Sequence, residues 1–309
     1  GCLMNSEGVL SSGMTTSHGI GLQVTLDNDG ELTSSYQGQS SRSKLAEVPA
    51  CVSRAVHWAQ VTQNPLRLDS DAHDAPVLLT SEGFSPLFSM VVPPAMTGEK
   101  MVRNESFWSE KMNTQVINPS LSIHDDGLLE GGMSSGSRDG EGVPRRQQAL
   151  VEDGRLTGML WSTRDAAQQV AEGRIDGAQS TGSATSGGHQ SPPSTGCTEL
   201  FLTSTQPAQS TDQLLERMGD GYIVNSVMGA HTANPSSGDF SVTTSSILKV
   251  EGGEIVGALK QAGLSGNLAK ALNGPVVLGQ EVRRQGSYSS GSMHLPDVLL
   301  MDGLRINPA

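Results

Sequence analysis

Residues 227–242 read VMGAHTANPSSGDFSV, residues 249–257 read KVEGGEIVG, and residues 263–268 read GLSGNL. Short apolar runs alternate here with glycines and an Asn-Pro pair, which is the pattern of β-strands joined by tight turns. Most signals from Tyr222 onward are also of strand and turn. The C-terminal part of the sequence is therefore predicted to be a β-sheet with short connections.

The composition limits the classes of function. The 309 residues include 37 glycines, and 35% of the residues are hydrophobic, which is enough for a core at this length. The formal net charge of −12 argues against a nucleic-acid partner, because phosphate binding needs clustered Lys and Arg. No apolar run approaches the roughly 20 residues that a membrane helix needs, so we expect no membrane association.

The cysteines indicate the compartment. Cys2, Cys51 and Cys197 are widely spaced and show neither a disulfide framework nor a C-x-x-C metal pair. This usage favours a reducing environment. The first residues, Gly-Cys-Leu-Met-Asn-Ser, have no signal-peptide pattern. We therefore expect a cytoplasmic protein.

A small N-terminal part, residues 1–74, is predicted to hold one hairpin and one helix. Residues 17–40 alternate on both sides of the turn sequence at 27–30, which indicates the hairpin. Pro49–Gln63 carries an apolar stripe and predicts a helix. The polar run Asp69–Asp74 predicts a linker to the larger C-terminal part.

The larger part, residues 75–309, is predicted to open with a buried strand, Ala75–Thr80. A short helix should follow from Ser85 to about Val92, because Pro93-Pro94 cannot continue it. The other predicted elements are a strand at Val116–Ile123, a helix from Thr163 as N-cap to Gly173, a long loop at Ser180–Thr198, and a helix from Ser210 or Thr211 to Gly219. We expect an α+β protein with a mixed, largely antiparallel β-sheet core and a few peripheral helices.

Several motifs occur in an order that is typical of one family. One of them is the segment at 227–268. The others follow here, each with the family pattern that it resembles in parentheses: Met4–Gly8 (Asn-Ser-x-Gly), Asp139–Arg145 (Asp-Asp-Glu-Gly-x-Pro), Leu150–Gly158 (Ile-Glu-Asn-Gly), Gln179–Ala184 (Ser-Thr-Gly-Asn-Ala) and Cys197–Leu200 (Thr-Asn-Leu). Together they resemble the TldD/PmbA family, which includes metallopeptidases and their metal-free partner subunits. The resemblance covers most of the chain.

The family has an additional N-terminal α/β portion before its Asn-Ser-x-Gly strand, whereas this sequence begins almost at that strand. The resemblance therefore implies a naturally short or a truncated relative. Residues 1–74 would be a remnant of the family's N-terminal and central α/β region. Residues 75–309 would be its C-terminal domain.

The zinc motif of the peptidase members is missing. Those members carry His-Glu-x-x-x-His on a helix, where two imidazoles on one face bind Zn²⁺ and the glutamate activates water. By resemblance, Ser89, Met90 and Pro94 stand at those three positions, and the family's additional cysteine ligand would fall near Gly286 to Ser292, where no cysteine occurs. The chain thus resembles the metal-free PmbA (TldE) type, with no metal of its own and no catalytic residue.

The resemblance implies the non-catalytic subunit of a TldD/PmbA-type metallopeptidase complex that acts on extended or unfolded peptides. The partner would be a TldD-like subunit that supplies the zinc, or a second copy of this chain. Candidate contacts with the peptide or the partner are His231, Asn234 and Asp239. Two alternatives stay open: a stand-alone hydrolase with a rebuilt site near His231 and Asp239, and a homodimeric peptide-binding or scaffold protein.

Overall fold

The computed structural model describes residues 2–4, 6, 8, 10–28, 31–42, 48–68, 73–186, 190–286 and 291–308. The helices in these ranges are α1 (Val48–Val61), α2 (Ser81–Ala95), α3 (Gly98–Val102), α4 (Thr163–Ala171), α5 (Thr211–Met218) and α6 (Leu268–Asn273), with a 3-10 turn at Ala230–Thr232. None of these helices has the length and apolarity that crossing a bilayer requires.

The strands of the same ranges are β1 (Cys2–Met4), β2 (Leu10–Ser12), β3 (His18–Asn28), β4 (Glu31–Ser41), β5 (His73–Asp74), β6 (Val77–Leu79), β7 (Leu121–Asp126), β8 (Gln147–Glu152), β9 (Arg155–Leu156), β10 (Ala184–Thr185), β11 (Ser194–Thr195), β12 (Glu199–Ser204), β13 (Gly221–Met228), β14 (Asp239–Glu251), β15 (Glu254–Leu259), β16 (Ala262–Asn267), β17 (Val276–Gly286), β18 (Ser292–Leu300) and β19 (Leu304–Pro308).

One 13-stranded sheet dominates the fold. Its order is β5-β19-β16-β14-β13-β6-β18-β12-β7-β8-β9, with β15 beside β14 and β17 beside β18. Strand β6 runs parallel to β13, and β12 runs parallel to β18, whereas the other pairs are antiparallel. The α+β class with a mixed, largely antiparallel sheet is confirmed.

Strand β6 shows why the sheet is buried on both faces. Its side chains alternate, so Val77 and Leu79 enter the larger core with α2, whereas Leu78 enters a second core with Trp58 of α1 and Leu214 of α5. A strand that is covered on both sides reads as a continuous apolar run, which is what residues 77–79 show. This strand delivers the chain directly into α2.

Helix α2 is longer than the sequence predicts. The Thr80 hydroxyl accepts a hydrogen bond from the Gly83 N–H at 3.3 Å and caps the helix, which begins well before the predicted start at Ser85. Pro93 and Pro94 lie inside its last turn rather than beyond it. A proline inside a helix costs about 3 kcal/mol. Complete burial of neighbouring apolar side chains, such as Val92, offsets that cost.

Three other predicted boundaries are wrong for local reasons. Strand β7 begins at Leu121 rather than Val116, because the Asn118 side chain accepts the Ser120 N–H at 3.0 Å and turns the chain. Ser162, not Thr163, caps α4. The predicted loop at 180–198 contains the paired strands β10 and β11.

Other expectations of the sequence are confirmed. Strands β3 and β4 form the N-terminal hairpin, and α5 begins at a Ser210 capping box and ends before Gly219 at φ 67°. The predicted linker is wrong at its end, because residues 73–74 pair with β19, and its residues 69–72 lie outside the described ranges. The division near residue 74 stays a prediction.

Candidate functional site

The face of α2 that would carry a zinc motif holds no zinc ligand. Ser89 is fully buried, Met90 packs half-buried against the larger core, and Pro94 is half-buried at the end of the helix. The usual protein ligands of zinc are His, Cys, Asp and Glu, and none of these three residues is among them. Within the described ranges, no group of three such residues lies close enough to hold a metal ion. The residues at this place do not fit zinc.

A groove of about 400 Å³ begins at the C-terminal end of α2 and is called here the α2 groove. One wall is formed by Pro93 and Pro94 of α2 and by Thr97 and the start of α3. The opposite wall is formed by α4 and by residues 192–196, which include β11. The groove therefore lies beside Pro94, one of the three positions at which the sequence lacks the zinc motif.

Gly98 fixes the first wall. A Cβ atom on Gly98 would lie only 2.0 Å from Cε2 of Trp161, so the indole ring packs directly against the backbone at the start of α3. The Gly98 N–H donates to the Leu160 carbonyl at 2.8 Å, and the Trp161 N–H donates to the Thr181 hydroxyl at 2.8 Å. No residue with a side chain fits here without moving the ring or the helix.

Two carboxylates hold the loop of residues 139–145 against α4. Asp139 is buried and accepts hydrogen bonds from the N–H groups of Glu141, Val143 and Ala184 at 2.9–3.0 Å. The Glu141 carboxylate accepts the Thr163 N–H at 2.5 Å and the Arg164 N–H at 3.0 Å at the start of α4. A negative charge at a helix N-terminus is stabilising, so the Glu141 carboxylate holds the loop and α4 together. The loop thereby helps to position the second wall of the groove.

Strand β11 offers backbone groups at the lip of the groove. It pairs with β10 and with no other strand of the described ranges. Its Thr195 hydroxyl donates to the buried Asp165 carboxylate at 2.6 Å and accepts the Ser162 N–H at 2.9 Å, which ties the strand to α4. The groove thus combines proline surfaces, polar groups and an unpaired strand edge, which suits an extended peptide.

The three residues predicted as contacts lie within one short segment, residues 231–239. The Asn234 N–H donates to the Asp239 carbonyl at 2.8 Å, and the side chain of Asn234 accepts the Ser236 N–H at 2.9 Å. His231 lies in the 3-10 turn just before them, and all three residues are exposed. The turn contacts α2 but does not line the α2 groove.

The Asp239 carboxylate is an acceptor for two neighbours. It accepts the Ser237 hydroxyl at 2.6 Å and the Asn267 amide at 2.8 Å. These hydrogen bonds lower the pKa of Asp239, so the carboxylate is ionised at neutral pH. Its bonds are thus made within the segment that joins the 3-10 turn to β14 and with the last residue of β16, rather than with an acid-base partner. The role of His231, Asn234 and Asp239 as contacts stays a prediction.

A buried ionisable cluster at β7, β12 and β18 is not visible in the sequence. Asp125 accepts the N–H groups of Thr198 and Glu199, each at 2.8 Å, and its burial raises its pKa. Glu199 accepts the Ser134 N–H at 2.6 Å and lies 2.8 Å from Nε2 of His294. The register of β12 on β18 brings Glu199 and His294 together. Because Glu199 also accepts the Ser134 N–H, the cluster connects the loop at 134 to the sheet.

The ring of Phe201 extends this cluster along the sheet. It is stacked between His124 and His294, with centroid distances of 4.8 and 4.1 Å. The His124 ring thus packs against the Phe201 ring, and burial lowers the pKa of His124.

The sequence does not predict the α2 groove either, because its walls come from three separate segments.

Comparisons with known proteins point to one family. The family model described as the PmbA/TldA metallopeptidase C-terminal domain matches residues 72–306. An uncharacterized protein of Methanocaldococcus jannaschii is 27% identical over 292 residues, which are 94% of this chain and 64% of that protein. A metalloprotease TldD homolog of Haemophilus influenzae is 26% identical over 86% of this chain and 55% of its own length.

The fold has a counterpart among solved structures. The crystal structure of TldE from Thermococcus kodakarensis matches with a TM-score of 0.86 and 22% identity. The match covers 99% of this chain and 66% of that chain. The present chain thus spans just under two thirds of the length of TldE and of the Methanocaldococcus protein.

Proposed function

Because the chain belongs to the PmbA/TldA metallopeptidase C-terminal domain family, we propose that it is the non-catalytic partner subunit of a metallopeptidase complex. A TldD-like subunit carries the zinc and its activated water, and this chain has no metal of its own. The observation that carries the proposal is the set Ser89, Met90 and Pro94 on α2, which offers neither an imidazole nor a carboxylate.

The α2 groove supports a role in holding peptide. An extended peptide can add to the free edge of β11, because main-chain hydrogen bonds at a strand edge require no particular sequence. Pro93 and Pro94 offer apolar surface. The charged lining residues are of both signs: Lys100, Arg164, Glu99 and Asp165. This lining suits unfolded polypeptides of varied sequence better than one small molecule.

The turn with His231, Asn234 and Asp239 serves in this proposal as a contact for the partner or the peptide. Its exposure and its position beside α2 support that role. The proposed compartment is the cytoplasm. Cys51 and Cys197 support it, because both side chains are buried and neither forms a disulfide in the described part of the chain.

Reconstitution with a His-Glu-x-x-x-His-bearing relative tests the proposal. We expect cleavage of an extended fluorogenic peptide only when both subunits are present. Cleavage by this chain alone would exclude the role of a non-catalytic partner.

Bulky substitutions on α4 test the part played by the α2 groove. Gln168 lines the groove and is exposed, so Gln168→Trp fills the groove and lowers cleavage by the reconstituted pair. Ala167→Trp is the matched control, because Ala167 is an exposed neighbour on the same helix that does not line the groove. Equal cleavage by both variants would exclude the groove as the peptide site.

A further inference from the structure

A second groove lies at the opposite end of α2, between the β3–β4 hairpin and β17, and is called here the hairpin groove. It consists of two connected cavities of about 370 and 590 Å³, which share Glu82 and Gln285 as lining residues. No residue that lines it also lines the α2 groove. The two grooves are therefore separate surfaces that can be altered independently.

The hairpin groove collects buried polar groups that lack partners. Within the described ranges, six buried side-chain atoms have no hydrogen-bond partner, and four of them belong to residues that line this groove: Ser35 Oγ, Gln37 Nε2, Ser246 Oγ and Arg283 Nε. Ser35 and Gln37 are only 9% and 5% exposed. Buried polar groups are normally hydrogen-bonded, so this concentration indicates a surface that is prepared for a polar ligand.

The spacing of the unpartnered groups matches an extended chain. Ser35 and Gln37 are two residues apart on β4 and lie on the same face of the strand. Two residues of a strand span about 6.8 Å. An extended peptide presents carbonyl groups along one edge with the same two-residue repeat, so the hydroxyl and the amide can donate to successive carbonyls of one peptide.

Two of the elements that line the groove, β4 and β17, have an edge that no described strand pairs with. Among the described strands, β4 pairs with β3 alone and β17 pairs with β18 alone. At one side of the groove, β13 departs from regular pairing with β14 at Asn225 and Ser226. Bulges of this kind often lie next to binding sites, because they interrupt the ladder and redirect side chains.

Most of the charged side chains in the groove are paired with one another. The Arg283 guanidinium forms ion pairs with Glu82 at 3.1 Å and with Glu281, and Arg54 pairs with Glu82 at 3.3 Å. Arg284 also lines the groove, so three cations face two carboxylates. Because four of these five charges are paired with one another, most of the remaining binding capacity is that of neutral hydrogen-bonding groups: hydroxyls, amides and backbone.

We propose that the hairpin groove binds an extended, uncharged stretch of polypeptide along β4, with Ser35 and Gln37 donating to its main-chain carbonyls. The peptide occupies the space between the edges of β4 and β17 that no described strand pairs with. This site is separate from the α2 groove and does not depend on the proposed partner role. It gives the chain a second point at which to hold an unfolded polypeptide.

Fluorescence anisotropy with the 309-residue chain tests the proposal. The probe is a labelled, end-capped peptide of ten alternating Thr and Ala residues. A proline-only peptide of the same length is the negative probe, because its polyproline II helix repeats every three residues and so does not present carbonyls with the two-residue repeat of a strand. We expect the Thr-Ala probe to bind and the proline probe not to bind. On binding, the amides of β4 should become protected from hydrogen exchange.

The variant Ser35→Ala with Gln37→Leu removes the two donors. We expect the probe to bind about tenfold more weakly, which corresponds to two lost neutral hydrogen bonds. The free variant should resist urea at least as well as the unaltered chain, because Ser35 Oγ and Gln37 Nε2 have no partner there. Gln23→Leu with Thr25→Ala, on exposed positions of β3 with the same spacing, is the matched control and should bind normally.

Three results would overturn the proposal. One is unchanged binding by the Ser35→Ala, Gln37→Leu variant. Another is a loss of its stability in urea, which would show that these groups already have partners in the free protein. The third is a dimer in sedimentation that this variant dissociates, since a second copy of the chain would then be the occupant. Weakened binding together with retained stability supports the peptide site.

Discussion

Gly98→Ala tests the packing that forms the first wall of the α2 groove. The added Cβ would lie 2.0, 2.2 and 2.5 Å from three atoms of the Trp161 indole. That ring is rigid and only 6% exposed, so it cannot swing into solvent as a flexible side chain would. Overpacking of this kind costs about 1–3 kcal/mol. The higher helix propensity of alanine stabilises the folded state by at most about 1 kcal/mol.

We therefore expect Gly98→Ala to lower the free energy of unfolding by about 1–2 kcal/mol, the overpacking cost less the propensity gain, measured by urea titration with an unchanged m value. Gly136→Ala is the control, because the nearest atom to its Cβ lies 3.9 Å away. Trp161→Leu in the Gly98→Ala background should recover part of the loss, and a double-mutant cycle measures that coupling. Equal unfolding midpoints for Gly98→Ala, Gly136→Ala and the unaltered chain would refute the packing.

Two further predictions concern carboxylates. Burial raises the pKa of Asp125 from 3.8, so the folded state favours the neutral form of this carboxyl group. The stability of the unaltered chain relative to Asp125→Asn should therefore fall as the pH rises from 3.8 through the raised pKa. Urea titrations at pH 4 and pH 7 measure this, and an identical difference at both pH values would contradict it. Glu141→Gln should lower stability by about 0.5–1 kcal/mol, because a carboxylate leaves the N-terminus of α4. The exposed Glu152→Gln is its control, and an equal effect of both substitutions in urea titrations would exclude the helix cap.

Local signals in the sequence are sufficient for several elements. The Ser210 capping box and Gly219 mark both ends of α5, and alternation marks the β3–β4 hairpin. These features depend on residues that are close in sequence. The length of α2 is not predictable in this way, because Pro93 and Pro94 normally end a helix, and their retention depends on apolar neighbours that only the tertiary structure supplies.

The candidate site is only partly predictable. The absence of the zinc motif at Ser89, Met90 and Pro94 can be recognised from the sequence alone. The α2 groove is not, because its walls come from residues 93–100, 164–168 and 192–196, whose proximity is set by the packing of Trp161 and by the loop around Asp139. The Glu199–His294 pair likewise depends on the register of parallel strands 95 residues apart.

Native mass spectrometry tests the central claim most directly. The tagged chain is expressed together with a His-Glu-x-x-x-His-bearing relative, purified through the tag and sprayed intact. We expect a complex of both subunits whose zinc stays with the relative when the subunits are dissociated in the gas phase. Stoichiometric zinc on this chain, or recovery of this chain only by itself or with its own copies, would contradict the role of a metal-free partner subunit.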